Sequence, residues 1–367
     1  MITSYDNTVF VQGLSFSIGS IPKIDESEYE EIKAIDNVID FDDIVPSKES
    51  ESIPLHVVAR KVLRLPNDER KFRVKKDLDL LRMAAETERF GSIELCYYKN
   101  VFDVEKETQF AAITFKLDDG SAFLTFRGTD KTIIGWKEDF NMSYQNSIPA
   151  QRLARAYVQH FAMKNDVPLR VGGHSKGGNL AMYAASTVDK QVQDRILEVY
   201  NHDGPGFREY MLEDEGYLRL LPKIHTFLPQ SSIFGVLMVH KEICTIIKSR
   251  HVGIMQHDPY NWEIIGKDFI ILDEREGDSM FFDNVFDEWL ESMTNEERNE
   301  FVDSFFDLIM TPDTHRPRDI LKPQNILTYF KTLHMEENKR KIVGAELSKL
   351  VEVAKHNIEK VKNQGEK

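Results

Sequence analysis

The sequence predicts an α/β fold. The expected core is a mainly parallel sheet covered by helices, with an antiparallel edge on its N-terminal side and a helical extension at the C-terminus. Three observations predict it. Short β-rich runs alternate with amphipathic helical stretches between about residues 90 and 275. The first of these runs are joined by a hairpin signal, Asp118-Asp119-Gly120. Residues 169–181, LRVGGHSKGGNLA, pass from an apolar strand through a glycine-rich turn directly into a helix.

Each element follows in order. Residues 25–51 are acidic and poor in large apolar groups, which reads as a solvated segment, most simply a charged helix face. Residues 75–90 place Leu78, Leu81 and Ala85 on one helical face and stop at Gly91. IELCYY, FAAITFKL and SAFLTFRG then change the period to that of strands. GWKEDFNMSY reads as a short helix, and residues 150–165 as a clear amphipathic one. After the 169–181 unit come strand ILEVYNHD, a helical excursion, strand IHTFLP, helix SIFGVLMVHKE, and strands ICTIIKS and DFIILDE. From about residue 278 the pattern is helical, with a capping box at Thr294-Asn295-Glu296-Glu297. The expected division is an N-terminal helical and acidic extension over 1–74, a core over 75–275, and a C-terminal helical region packed on the core over 276–367.

Bulk properties narrow the function classes. The chain has 367 residues, 41% hydrophobic and 29% charged, as a folded domain does. A net charge of −14 argues against nucleic acid and against an anionic membrane surface. Cys96 and Cys244 are the only cysteines, and two so far apart read as buried free thiols in a reducing compartment. No signal peptide or membrane span is visible, so stable membrane insertion is not expected and a cytoplasmic location is.

Within 169–181 the pattern Gly173-His174-Ser175-Lys176-Gly177 is G-x-S-x-G in a strand–turn–helix setting, the nucleophile elbow of α/β-hydrolases. Glycines on either side of Ser175 let strand and helix approach closely. The following helix aims its N-terminal amides at the serine oxygen. Such a serine needs a base and an acid, supplied in the chain order Ser, acid, His. Asp203 closes the next strand and is the candidate acid; its simpler alternative is a turn-capping role before Gly204-Pro205. His257 is the favoured base, with His251 in reserve. His202, His225 and His240 read as packed or surface histidines, and His174 as pointing to the far side of the turn. The oxyanion amides are expected from Lys176 and from Thr129, whose hydroxyl could assist. Arg127 reads as a structural ion-pair partner.

These residues carry a resemblance. FLTFRGTDKTIIGWKEDFNM resembles the FRG-(S/T)…W-x-x-D segment of the class 3 lipases, VGGHSKGGNLA resembles their GHS-x-GG-x-LA elbow, and QHDPYNW is similar to their His-x-x-Pro-x-x-Trp tail. With DGPGF and KSRHVGIMQHDPYNW, the chain is similar over about residues 75–270 to a bacterial domain-of-unknown-function family placed near those lipases, the Mbeg-like family. The likeness implies an α/β-hydrolase with Thr129 as oxyanion residue, Ser175 as nucleophile and His257 as base. Three departures stand out. The lipase acid follows the strand after the one ending at Asp203, and here that strand ends LPQSS. His257 lies two residues before its proline rather than three. Lys176 replaces the usual apolar residue, and a cation beside the oxyanion would suit an anionic or polar substrate.

The expected activity is hydrolysis of small-molecule or lipid esters through an acyl-serine, with no metal or cofactor. Amides and thioesters remain open as substrates. The rival expectation is an inactive hydrolase fold that serves as a binding or scaffolding protein.

Overall fold

The computed structural model describes residues 51–64, 75–129, 132–266, 268–275, 277–311 and 322–365. The acidic segment lies outside the described residues except for its last residue, Glu51.

Among the described residues, nine strands form one sheet. The first eight, in chain order, are β1 (Ile53–Pro54), β2 (Glu94–Asp103), β3 (Thr108–Lys116), β4 (Ala122–Phe126), β5 (Leu169–His174), β6 (Ile196–His202), β7 (Ile224–Pro229) and β8 (Cys244–Ile247). A small ribbon, β9 (Ile264–Ile265) with β10 (Asp268–Phe269), precedes the last edge strand, β11 (Ile271–Leu272). The spatial order is the chain order: β1-β2-β3-β4-β5-β6-β7-β8-β11. Strands β4 to β8 are parallel. The β1–β4 edge and the β8–β11 pair are antiparallel, as the N-terminal hairpin signal predicts.

Alternation along the strands divides the core. Leu124, Phe126, Val171 and Val199 face the helices at Pro149–Lys164 and Lys176–Thr187, and pack with Leu153, Tyr157, Leu180 and Ala184. Their neighbours Phe123 and Tyr200 face the opposite side, where Leu55, Val58, Leu81 and Phe90 cover them. Helices therefore cover both faces. Residues 55–64 belong to this second layer, and β1 pairs with β2, so described residues on the N-terminal side of position 75 are continuous with the core.

The C-terminal helices at Gly277–Glu291, Asn295–Met310 and Glu337–Gly365 bury Trp289, Phe301, Phe306 and Val343 around Ile133 of the short helix Ile133–Asn141. The expected capping box is present. Thr294 Oγ1 accepts from the Glu297 amide at 3.1 Å, and a Glu297 carboxylate oxygen accepts from the Thr294 amide at 2.8 Å.

Two expectations are corrected. Residues 232–242, read as a helix, form turns and a single bridge, Phe207 to Val239. Gly235 sits mid-segment, and a Cβ there would lie 2.3 Å from Asp203 Oδ1, so the chain is shaped by its neighbour rather than by its own periodicity. Second, Cys96 and Cys244 form no disulfide and are half-buried, not fully buried. Among the described residues, no helix is long and apolar enough to cross a membrane.

The register aligns the carboxyl ends of the central strands. His174 pairs with His202, and His202 with Phe227. Ser175 and Asp203 are the next residues along their chains, so both emerge at one edge of the sheet, where parallel α/β folds place ligand sites.

Candidate active site

Ser175 sits at φ +58° and ψ −133°, between strand β5 and the helix that begins at Lys176. That backbone region is hostile to an L side chain, and the surroundings must hold it there. They do so by close packing. A Cβ on Gly173 would lie 2.2 Å from the Gly177 carbonyl carbon, and one on Gly177 would lie 2.1 Å from Phe126 O. Only glycine allows this strand–helix approach. The Ser175 amide is tied to His202 O at 2.9 Å, which locks the turn to the end of β6.

Asp203 repeats the device one strand over, with φ +53°. Its amide donates to Phe227 O at 2.9 Å. Asn201 braces the following turn, accepting from the Gly204 amide at 2.9 Å and donating to Gly204 O at 3.0 Å. Asp203 is fully buried, and each carboxylate oxygen has a partner. Oδ1 accepts from Ser232 Oγ. Oδ2 accepts from His257 Nδ1 at 2.7 Å. Because a carboxylate here is an acceptor, the proton on that bond belongs to Nδ1 of the imidazole. Nε2 is left without a hydrogen bond to any described residue.

His257 ends a short 3-10 turn, Gly253–His257, and its side chain is 22% exposed. Phe234 and His174 flank its ring, each with ring centres 4.5 Å away. His174 Nε2 also donates to His257 O at 2.7 Å. The expectation that His174 points to the far side of the turn is therefore corrected. It braces the other histidine from the strand that carries Ser175. The reserve histidine, His251, is exposed.

Ser175 is half-buried, and its Oγ makes no hydrogen bond with any described residue; neither does His257 Nε2. The amides of Lys176 and Thr129 likewise donate to no described residue. Among the described residues, four groups of complementary chemistry are thus uncommitted: a hydroxyl, an imidazole nitrogen and two N–H donors.

The Lys176 side chain behaves differently from the expectation. It turns inward and is completely buried. Its Nζ donates to Glu138 Oε2 at 2.8 Å, Gln109 Oε1 at 2.9 Å and Gln109 O at 3.0 Å. Glu138 in turn accepts from the Gln109 and Ala150 amides, at 3.0 and 2.9 Å. A charged side chain cannot remain unpaired in such an interior, and Glu138 provides the partner. The cation therefore faces the core, and only its backbone amide faces the turn. Thr129 is tied into the same structure, its Oγ1 donating to Asp139 Oδ2 at 2.5 Å. That hydroxyl proton is committed, so it does not assist an oxyanion. Arg127 Nη2 reaches Asn100 Oδ1 at 3.3 Å.

Of the remaining histidines, His202 is buried among Phe227, Trp262 and Phe269. Neither ring nitrogen has a hydrogen bond, and burial pushes its imidazole down to about 3. It is neutral packing, as expected. His225 is partly exposed and stacks on Tyr200. The pocket lined by Gln151, Asn179, Arg208 and Met238 contains none of Ser175, Asp203 or His257.

Against curated proteins the chain has no match. A family comparison does have one, covering residues 84–307, a stretch that includes the whole Ser175, Asp203 and His257 arrangement and more than half of the chain. On that match, this protein belongs to the Mbeg1-like family.

Proposed function

We propose that this protein is a serine hydrolase of the α/β-hydrolase type that cleaves carboxylic esters, with Ser175, His257 and Asp203 as its triad. The observation that carries the reading is the 2.7 Å bond between His257 Nδ1 and the buried Asp203 carboxylate, formed across 54 residues beside a serine held at positive φ. A buried carboxylate that fixes an imidazole tautomer and leaves Nε2 to act on a strained serine has the logic of a catalytic base.

The steps follow from the uncommitted groups. Rotation about χ1 brings Ser175 Oγ to His257 Nε2 when substrate binds; such bonds commonly tighten only in the complex. Oγ attacks the acyl carbon while its proton passes to Nε2. Asp203 stabilises the imidazolium without taking the proton. The carbonyl oxygen becomes an oxyanion and accepts from the Lys176 and Thr129 amides. Collapse expels the alcohol, which receives the proton from Nε2. Water, deprotonated by the same nitrogen, then releases the acid and restores Ser175.

The buried side chain of Lys176 removes the reason to expect an anionic substrate. The turn before His257 exposes Val252, Ile254 and Met255, and an apolar rim suits an uncharged acyl chain.

The test is active-site labelling. A fluorophosphonate should form one adduct, located on Ser175 by mass spectrometry. His257→Ala should abolish it while the fold persists. A folded protein that takes no label would return the scaffolding reading.

A further inference from the structure

A second constellation lies behind the Asp203 turn, and ester hydrolysis makes no use of it. His240 and Glu242 lie on the approach to β8, with a bend at Glu242, and Cys244 opens the strand. One ligand atom from each lies within 4.8 Å of the other two. His240 Nδ1 is 2.7 Å from Glu242 Oε1.

The surroundings orient His240 and Glu242. His240 Nε2 is 2.7 Å from Gly235 O. A carbonyl only accepts, so Nε2 carries hydrogen; Nδ1 faces Glu242, and loss of the proton held between them opens its lone pair to an ion. Thr226 Oγ1 donates to Glu242 Oε1 at 2.7 Å, and Tyr217 Oη donates to Oε2. Metal-binding histidines and carboxylates are held by outer partners of this kind. The Glu242 side chain is fully buried, His240 nearly so, and Cys244 is half-buried.

We propose that His240 Nδ1, Glu242 Oε1 and Cys244 Sγ form a binding site for a divalent transition metal, foremost zinc. One nitrogen, one oxygen and one sulfur suit a borderline-soft ion; magnesium and calcium prefer all-oxygen sets. Three protein ligands leave a fourth position for water. Binding exchanges protons for metal: the Cys244 thiol proton and the proton held between His240 and Glu242 leave as the ion enters. Bond lengths of about 2.0–2.3 Å put tetrahedral ligands about 3.3–3.7 Å apart, so the His240–Glu242 pair opens by roughly 1 Å or less.

The site has a structural consequence. His240 holds Gly235 O, the Gly235 amide donates to Ser232 Oγ at 3.0 Å, and Ser232 Oγ donates to Asp203. A metal fixing His240 therefore stiffens the segment that supports the carboxylate.

Cobalt(II) titration of the chelator-stripped full chain, prepared without a polyhistidine tag, tests the proposal. One ion per chain is expected, with a near-ultraviolet thiolate-to-cobalt charge-transfer band and intense visible bands of a tetrahedral ion. Cys244→Ser should erase the charge-transfer band. His240→Gln should weaken binding by at least about tenfold. Cys96→Ser should change nothing, and zinc should displace the cobalt and raise the wild-type melting temperature. Sub-stoichiometric binding, a charge-transfer band that survives Cys244→Ser, or one that vanishes in Cys96→Ser would overturn the site and leave His240 and Glu242 as a buried ion pair only. Serine labelling at Ser175 is read separately and does not depend on the outcome.

Discussion

Glu138→Gln removes the carboxylate that is hydrogen-bonded to the Lys176 ammonium and leaves the Asp139 carboxylate 3.7 Å away, and its effect can be worked from the contacts. Both side chains are fully buried, with Nζ and Oε2 2.8 Å apart. The variant leaves the ammonium with Gln109 O and Gln109 Oε1, two neutral acceptors. Breaking one side of a buried pair costs about 3–5 kcal/mol, and the retained acceptors put this case near the lower end. Lys176→Met strands Glu138 instead. That carboxylate keeps the Gln109 and Ala150 amides, so a cost of about 2–3 kcal/mol is expected. The double variant Lys176→Met/Glu138→Gln has no buried charge left at the pair and should lose less than the sum, giving a coupling of about 2 kcal/mol. Urea unfolding of the four proteins measures it. A coupling below about 0.5 kcal/mol would refute the pair as the reason Lys176 faces inward. Lys176→Met should also leave the ratio of rates on anionic and neutral esters unchanged. A shift in that ratio would return the ammonium to the substrate side.

Three further outcomes are expected. The folded protein keeps His202 neutral down to about 3, whereas the unfolded chain protonates it below about 6.5. The unfolded state thus binds more protons in that window, and stability falls with acidity there by up to about 1.4 kcal/mol per pH unit; His202→Phe should flatten this part of the urea-midpoint profile. Gly177→Ala places a methyl 2.1 Å from Phe126 O, an atom that cannot yield, and should cost about 2–3 kcal/mol and suppress fluorophosphonate labelling. His174→Ala removes both the ring contact and the bond to His257 O, and should slow labelling of Ser175 about tenfold or more while shifting unfolding little; equal labelling rates would show that His174 does not position the base.

Local chemistry made much of this fold legible. Strand period, the Asp118-Asp119-Gly120 turn and the 294–297 capping box each depend on neighbours a few residues away, and each appears as read. The Ser175 turn was legible because its glycines are needed by contacts that the turn itself brings about. That Asp203 and His257 meet was legible from the rule that such partners follow at later strand ends. What escaped depends on distant residues. The direction of Lys176 is set by Gln109 and Glu138, 67 and 38 positions upstream. Residues 232–242 have helical apolar spacing, but Gly235 must lie against Asp203, and Val239 pairs with Phe207. His174 sits beside a serine in sequence, yet its role is defined by a loop that returns 83 residues later.

The chain-ordered sheet has a consequence for synthesis. Each parallel strand from β5 to β8 docks beside the one made just before it, so a chain leaving the ribosome always finds its partner already formed. Growth proceeds from one border, and no strand has to be threaded between earlier ones. The serine turn is therefore built long before the imidazole that would activate it is translated. Until the short antiparallel β11 arrives, the newest strand offers an open border to other nascent chains. The period of greatest vulnerability to mispairing thus ends at nearly the same point in translation at which the proposed triad becomes complete.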